Sequence, residues 1–255
     1  MNKNSLVIRD PVHGDLIFES PVTDVIASPC FQRLKNIKQN GLLHLVYPGM
    51  KHSRFEHSIG SAHLAQKWFR KLMFNTEPGR ERKFFPVSSD KKINGNTLKI
   101  RDTKDLYKYI SADSGRYENL VTLAALVHDL GHGPLSHTLD KLKLLDLKGY
   151  EGVVKNPFLA EYFKNKTSSA EHEDFSLLYL SKITYAAKST AARFLCEEQN
   201  FLILCALIHK DFRRHLLANK TDEGLSSLEI KATHLLSLCI ASLFDVDRFD
   251  YLNRD

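Results

Sequence analysis

The sequence has no apolar run approaching the roughly 18 residues that a membrane-spanning helix needs, which argues against a membrane partner. Its opening residues, MNKNSLVIRD, lack the hydrophobic stretch of a secretory signal, so the expectation is a cytoplasmic protein. Cysteine is sparse and scattered: Cys30, Cys196, Cys205 and Cys239 form no C-x-x-C pair, which speaks against a thiolate metal site. Three of the four sit in apolar helical runs and read as buried free thiols in a reducing compartment. There is also no Lys/Arg-rich tail, no interleaved aromatic repeat, no zinc-finger spacing and no internal repeat. The net charge of +6 therefore favours polyanionic ligands such as nucleotides or nucleic acid without choosing among them, and a generic solvated surface accounts for it equally well.

What is present is enough material for a core. At 255 residues and 43% hydrophobic, the chain can form one large domain, with insertions expected at about 75–119 and 149–169. The organising stretch is Val127-His128-Asp129-Leu130-Gly131-His132-Gly133-Pro134-Leu135-Ser136-His137. Before it, Leu120 to Leu126 (LVTLAAL) is unbroken apolar sequence and reads as a helix buried on most sides. A histidine and a carboxylate at its inner end are costly unless something neutralises them. A divalent cation does so, since neutral imidazole and ionised carboxylate are both good ligands. A lone His-Asp pair would be read as a capped helix end. Three histidines and an aspartate within ten residues favour a site.

Along the chain, Ser5 to Ser20 reads as strand, turn and strand, a hairpin about Asp10-Pro11-Val12-His13-Gly14-Asp15, with His13 structural. Ser20-Pro21 and Ser28-Pro29 each open a helix, the second running from Cys30 to Asn40 with Phe31, Leu34 and Ile37 on one face. Gly41 to Arg54 reads as a loop. An amphipathic helix then starts near Phe55, with His57 in its first turn and Arg54 beside its N-terminus, where a phosphate is favoured. His52 and His63 read as structural or exposed. The polar stretch that follows carries an Asn94-Gly95 turn signal and is read as a small β-hairpin insertion, with a helical turn at Leu106 to Ile110. Helices are expected over 138–147, 170–183, 190–209 and 225–246. Asp140 lies one turn from His137, close enough to orient its ring, and Glu173 stands beside His172. Asp247 and Tyr251 can share a helical face with Asp250. The fold class is mostly α.

The motifs D-P-V-H-G, F-Q-R-L-K-N-I-K-Q, Y-P-G-M-K-H-S-R-F-E-H-S-I-G, H-D-L-G-H-G-P-L-S-H and D-V-D-R-F-D-Y-L-N-R-D run in order from Asp10 to Asp255. In them the sequence resembles the HD-domain metal phosphohydrolases, in the branch of deoxynucleoside triphosphate triphosphohydrolases that includes the SAM-and-HD-domain enzyme. The resemblance implies an HD-domain helical bundle with a divalent metal (Mn, Fe, Ni, Zn or Mg) held by His57, His128, Asp129 and Asp247. It implies that His132, His137 and His172 surround the α-phosphate, with Asp140 and Glu173 orienting the imidazoles. Arg54, Arg248 and Tyr251 match positions that hold phosphates, and Gln39 and Asp255 match positions that contact the sugar 3′-hydroxyl.

The implied reaction is hydrolysis of a deoxynucleoside triphosphate to deoxynucleoside and triphosphate, with His137 the first choice for general acid. Other readings are an HD phosphohydrolase acting on another nucleotide or on single-stranded nucleic acid, and a non-catalytic nucleotide-binding regulatory module. A homo-oligomer and a regulatory nucleotide are also implied. Three departures from the branch stand out. Asn40 replaces an apolar residue against the sugar, Ala27 replaces an Asp used in guanine binding, and the C-terminal lobe of the relatives is not among the 255 residues.

Overall fold

The computed structural model describes residues 5–76, 91–93, 96–98, 100–135, 138, 154–186, 189–218, 225–242 and 245–255. The chain begins with the expected hairpin: β1 (Leu6–Asp10) pairs antiparallel with β2 (Gly14–Phe18) in the register Leu6↔Phe18 to Asp10↔Gly14. The Asp10 carboxylate accepts from the amides of Val12 and His13, and Gly14 takes the positive φ (78°) that closes the turn. Period-two alternation puts Leu16 and Phe18 in the core. The second expected hairpin is also there, β3 (Lys91–Ile93) against β4 (Asn96–Leu98), with Ile93 paired to Asn96 across Asn94-Gly95.

The remaining regular elements among the described residues are helical. After the hairpin come α1 (Val22–Ala27), α2 (Pro29–Gln32), and α3 (Arg54–Thr76), with 3-10 turns at Arg33–Asn36 and Gly41–Leu45 between the last two. Then follow α4 (Ile100–Ala112), α5 (Ser114–Val127), α6 (Pro157–Asn165), α7 (His172–Ala186) and α8 (Thr190–Cys196). The last are α9 (Glu198–Ile208), α10 (Lys210–Ala218), α11 (Ser227–Ile240) and α12 (Val246–Arg254). Two helices form the centre. Every residue of α5 from Leu120 to Val127 is buried, and so is every residue of α9 from Asn200 to Ile208. They pack on each other, with α3 and α11 also against α5 and α12 laid across α3. No described helix is long and apolar enough to cross a membrane.

Several boundaries differ from the sequence reading, each for a local reason. The helix expected to run from Cys30 to Asn40 tightens to a 3-10 turn at Arg33 and stops at Asn36. Phe31, Leu34 and Ile37 are buried as expected, but their spacing of three is the 3-10 period, and a bridge from Lys38 to Ser53 then draws the chain straight. The helix expected over 190–209 is two, broken at an extended Glu197, where Asn200 donates to Phe194 O and Glu197 Oε2 and so satisfies the break. The one expected over 225–246 stops at Ile240, and Asp245 caps a separate α12 by accepting from Arg248 N at 2.9 Å. The stretch from Leu106 to Ile110 belongs to a full helix, and α6 lies within the polar stretch at 149–169 and buries Leu159, Tyr162 and Phe163. Of the four free thiols, Cys205 and Cys239 are buried while Cys196 is exposed. The helix expected after Thr138 lies outside the described residues.

What positions the site is the tight approach of α7 to the turn after α5. Gly131 donates to Ser176 Oγ at 2.8 Å, and a Cβ at Gly131 would overlap the carbonyl oxygen of His172 and the amide of Ser176. Because the obstacle is backbone, the helix itself would have to retreat. Gly131→Ala should therefore lower stability by about 1–3 kcal/mol, read as a lower urea midpoint by circular dichroism. Gly115→Ala, where a Cβ meets nothing, should leave the midpoint unchanged or raise it. Equal midpoints for the two variants would contradict this account of the packing.

Candidate active site

The C-cap of α5 is His128, whose backbone stays helical (φ −55, ψ −39) while Nδ1 turns back onto the carbonyl of Ala125 at 2.8 Å. A carbonyl only accepts, so Nδ1 carries the proton and Nε2 faces away from the helix. His57, in the first turn of α3, is fully buried. Its Nδ1 meets Asp250 Oδ2 at 2.8 Å and its Nε2 meets Asp247 Oδ1 at 2.9 Å. The His57 and His128 rings stand edge to face, 5.4 Å apart at 76°.

Two carboxylates close on the pair. Asp247 Oδ1 lies 3.6 Å from His128 Nε2, while Asp129 lies 3.6 Å from His57 Nε2 and 3.5 Å from His128 Nε2. Neither Nε2 has a partner of hydrogen-bond geometry among the described residues, although both are buried. Such atoms are costly to leave unpaired. Ligands bonded at about 2.1 Å to one ion lie roughly 3.0–3.4 Å apart, and the measured donor separations of 2.9–3.6 Å bracket that value. His57, His128 and Asp247 thus form a His/Asp group that could hold a metal.

Asp129 also faces the other way. Its Oδ2 is salt-bridged to the buried guanidinium of Arg54, and its Oδ1 lies 3.4 Å from His132 Nε2. It groups with His132 and His172, whose rings stack at 3.7 Å and 12°. Burial works against the Asp129 carboxylate, but Arg54, His128 and His132 outweigh it and hold its pKa well below the usual range. Asp247 is depressed too, its burial outweighed by its contacts with His128 and His57. Burial likewise opposes charge on His128, yet Asp129 and Asp247 lift its pKa to about 10. Burial drops His132 to about 4, Arg54 and His172 adding to the effect and Asp129 offsetting part of it, so it is neutral at neutral pH.

The centre floors a cavity of about 1040 Å³, of the size that takes a nucleotide-scale ligand. Of the residues singled out in the sequence, Gln39, Arg54, His128, Asp129, His172, Glu173, Asp247, Arg248, Tyr251 and Asp255 line it. His57 and His132 are buried behind its wall. His137 and Asp140 lie outside the described residues. Asn40 donates to Asp255 Oδ1 at 2.9 Å, and His52 comes to 3.9 Å of the same oxygen.

The structure adds residues to which the sequence reading gave no place in the site. Arg33 Nη1 donates to the carbonyl of His132 at 2.8 Å and its guanidinium lies 4.6 Å from the Tyr179 ring centroid. Ser176 donates to the carbonyl of His128 at 2.8 Å. Asp174, fully buried, accepts from Glu171 N at 2.8 Å and pairs with His209 and Lys166 at 3.1 Å each, which pins the first turn of α7 and with it His172. Asp250 backs His57, and His13, read as structural, reaches Asp250 at 2.6 Å. The available signals were spacings: Asp250 is three residues after Asp247, and Ser176 four after His172.

No family model matches the chain. Among known proteins it is 37% identical to deoxynucleoside triphosphate triphosphohydrolase SAMHD1 of Bos taurus over 134 residues, which is 52% of this chain and 17% of that protein. It is 33% identical over 138 residues to a deoxynucleoside triphosphate triphosphohydrolase SAMHD1 homolog of Dictyostelium discoideum, 54% of this chain and 21% of that one. A protein of Acanthamoeba polyphaga mimivirus named for an HD domain is 30% identical over 244 residues, 96% of this chain and 41% of its own. The chain thus spans between about a fifth and two fifths of these relatives.

The carboxylates that hold a proton on His128 would also hold a divalent ion between the imidazoles, so ion and proton compete. For chelator-treated protein titrated with Co²⁺, uptake should release protons and the apparent affinity should climb as pH rises from 6 to 9. The sign for folding is opposite. A pKa raised from 6.5 to about 10 gives stability that is full below pH 6.5 and lost as pH rises through 10. Chelator-treated protein should therefore weaken over that window. A Co²⁺ affinity independent of pH would overturn the competition.

Proposed function

We propose that this chain, which resembles the HD-domain phosphohydrolases of the deoxynucleoside triphosphate triphosphohydrolase branch, hydrolyses deoxynucleoside triphosphates to deoxynucleoside and triphosphate. The supporting observation is the pair of buried imidazole Nε2 atoms without hydrogen bonds, facing Asp129 and Asp247 at the floor of a cavity whose lining also includes Arg54 and Arg248. A divalent ion bound there supplies an activated water and polarises a phosphoryl oxygen.

The chain's own residues do the rest. His57, His128, Asp129 and Asp247 would hold the ion. Arg54, locked against Asp129, presents a fixed positive charge beside them, which stabilises negative charge without having to reorganise. Arg248 and Tyr251 engage the phosphates from α12. Neutral His132 stacks on His172 and offers an uncharged hydrogen-bonding edge, and Glu173, the next residue along, lines the same cavity. His137 is assigned the proton delivered to the departing 5′-oxygen, a step that typically contributes ~10²–10⁴-fold, and Asp140 is assigned to its support, both on the motif resemblance alone. Gln39 and Asp255 meet the sugar, and Asn40, bonded to Asp255, fixes how that carboxylate is presented.

The test is a product-resolved assay of the four deoxynucleoside triphosphates with Mn²⁺. Triphosphate and deoxynucleoside should form in equal amounts, chelator should abolish the reaction, and Asp129→Ala should reduce it by at least ~10³-fold, since that change removes a ligand and frees Arg54. Release of monophosphate or inorganic phosphate instead would move the reading to an HD phosphohydrolase on another phosphoester. Binding without turnover would make the chain a nucleotide-binding module.

A further inference from the structure

Behind His57, on the side away from the cavity, lies a buried ionic network that the reaction outlined above does not use. Asp250 Oδ2 accepts from His57 Nδ1 at 2.8 Å and from Arg254 Nε at 2.7 Å, while Asp250 Oδ1 meets His13 Nε2 at 2.6 Å. Arg254 Nη2 reaches on to Asp10 Oδ2 at 2.9 Å, and Asp10 in turn holds the hairpin turn through the amides of Val12 and His13. The Asp250 side chain is fully buried, and Arg254 and Asp10 are 2% and 1% exposed. The helix carrying His57 makes room for this: a Cβ on Gly60, one turn along α3, would overlap both the Asp250 carboxylate and the Arg254 guanidinium.

We infer that Asp250 is a positioning residue for the metal centre: clamped by Arg254 and His13, it holds the proton of His57 on Nδ1 and thereby aims Nε2 at Asp247 and the ion. The inference rests on the reading of His57 as a ligand. A carboxylate accepts and does not donate, so the atom facing it must carry the proton. A neutral imidazole has one proton, and Nε2 is then left with its lone pair. Since Arg254 holds one carboxylate oxygen and His13 the other, the carboxyl group cannot rotate to release the ring. His128 obtains the same polarity from the carbonyl of Ala125. The turn of the N-terminal hairpin and the last turn of α12 are thereby part of the support of the centre.

The experiment reads the tautomer and the metal separately from turnover. Long-range ¹⁵N–¹H spectra of chelator-treated protein at pH values above the titration of His57 should show the Nδ1–H form. Co²⁺ titration then gives the affinity. Asp250→Ala removes the acceptor and should mix the tautomers and weaken Co²⁺ binding by ~10–100-fold. Asp250→Asn should behave differently. Arg254 can only donate, so the amide oxygen stays on the shared side, continues to accept from His57 Nδ1, and keeps affinity within several-fold of wild type. A merely structural role would make affinity follow the thermal stability of the two variants, whatever the tautomer. The inference is overturned if wild-type His57 carries its proton on Nε2, or if a folded Asp250→Ala protein binds Co²⁺ as wild type does. Should Asp250→Ala not fold, the wild-type tautomer and the Asp250→Asn affinity decide. A wild-type protein that binds no Co²⁺ or Mn²⁺ while showing the Nδ1–H form defeats the ligand reading and not the positioning of the ring.

Discussion

Two carboxylates, two imidazoles and a guanidinium sit against the inner end of a helix whose last eight residues are all buried, and removing such groups from water costs several kcal/mol for each ionised one. The surrounding structure answers that cost group by group. Asp129 is met by Arg54, His57 by Asp250, His128 by the carbonyl of Ala125, and Asp247 by the edges of both rings. Because each answer is directional, each fixes an element. Arg54 and His57 set the start of α3, His128 and Asp129 the end of α5, and Asp247 and Asp250 the rotation of α12 about its axis. The two glycines at close approaches, Gly60 and Gly131, allow backbones near enough for these bonds to be made. The helices are held by apolar packing. Their register relative to one another at this end of the molecule is held by charge.

That division explains what could be read from the sequence and what could not. The burial of α5 was legible because an apolar run with no polar face admits few alternatives, and the hairpins were legible because Asp10–Gly14 and Asn94-Gly95 are turn chemistry between alternating segments. The break at Glu197 was not, since no Gly or Pro marks it and the satisfying group, Asn200, lies inside the next helix. Nor was the network behind His57. Its members are 237 and 244 residues apart in the pairs His13–Asp250 and Asp10–Arg254, and a charge in a turn or on a helix reads as solvated until its partner is known. The proposed ligands were named through whole motifs rather than through geometry. His128 and Asp129 alone would have been read as a capped helix end.

Separation along the chain has a consequence for assembly. The centre draws on α3, α5 and α12, and its outer support joins the first strand to the last helix. Long-range contacts of this kind repay their loop-closure entropy only once the core has formed. The apolar packing of α3, α5 and α9 is therefore the scaffold on which the charges are brought together, and the ionic network closes it. An ion held between these groups would stabilise only the closed form, by an amount that grows with the logarithm of its concentration over its dissociation constant.

The charge balance of the finished site argues for the kind of ligand it accepts. Once the proton on His128 is displaced, the immediate centre holds two carboxylates and one guanidinium, one negative charge in excess. A divalent ion bound there would reverse that excess, and Arg248 on the cavity wall would add to it. Arg54 has no freedom to move toward a ligand: it is 1% exposed and bonded to Asp129, so its charge is already in place before anything binds. A fixed cation beside an ion in a buried setting favours a compact, highly charged anion over an extended neutral substrate. The polar groups farther out, Gln39, Asn40 and Asp255, are hydrogen-bonding rather than cationic, as suits the uncharged part of the same molecule. Under the proposed function, a floor made cationic by a bound ion and a polar rim would meet the phosphate and the sugar of one molecule.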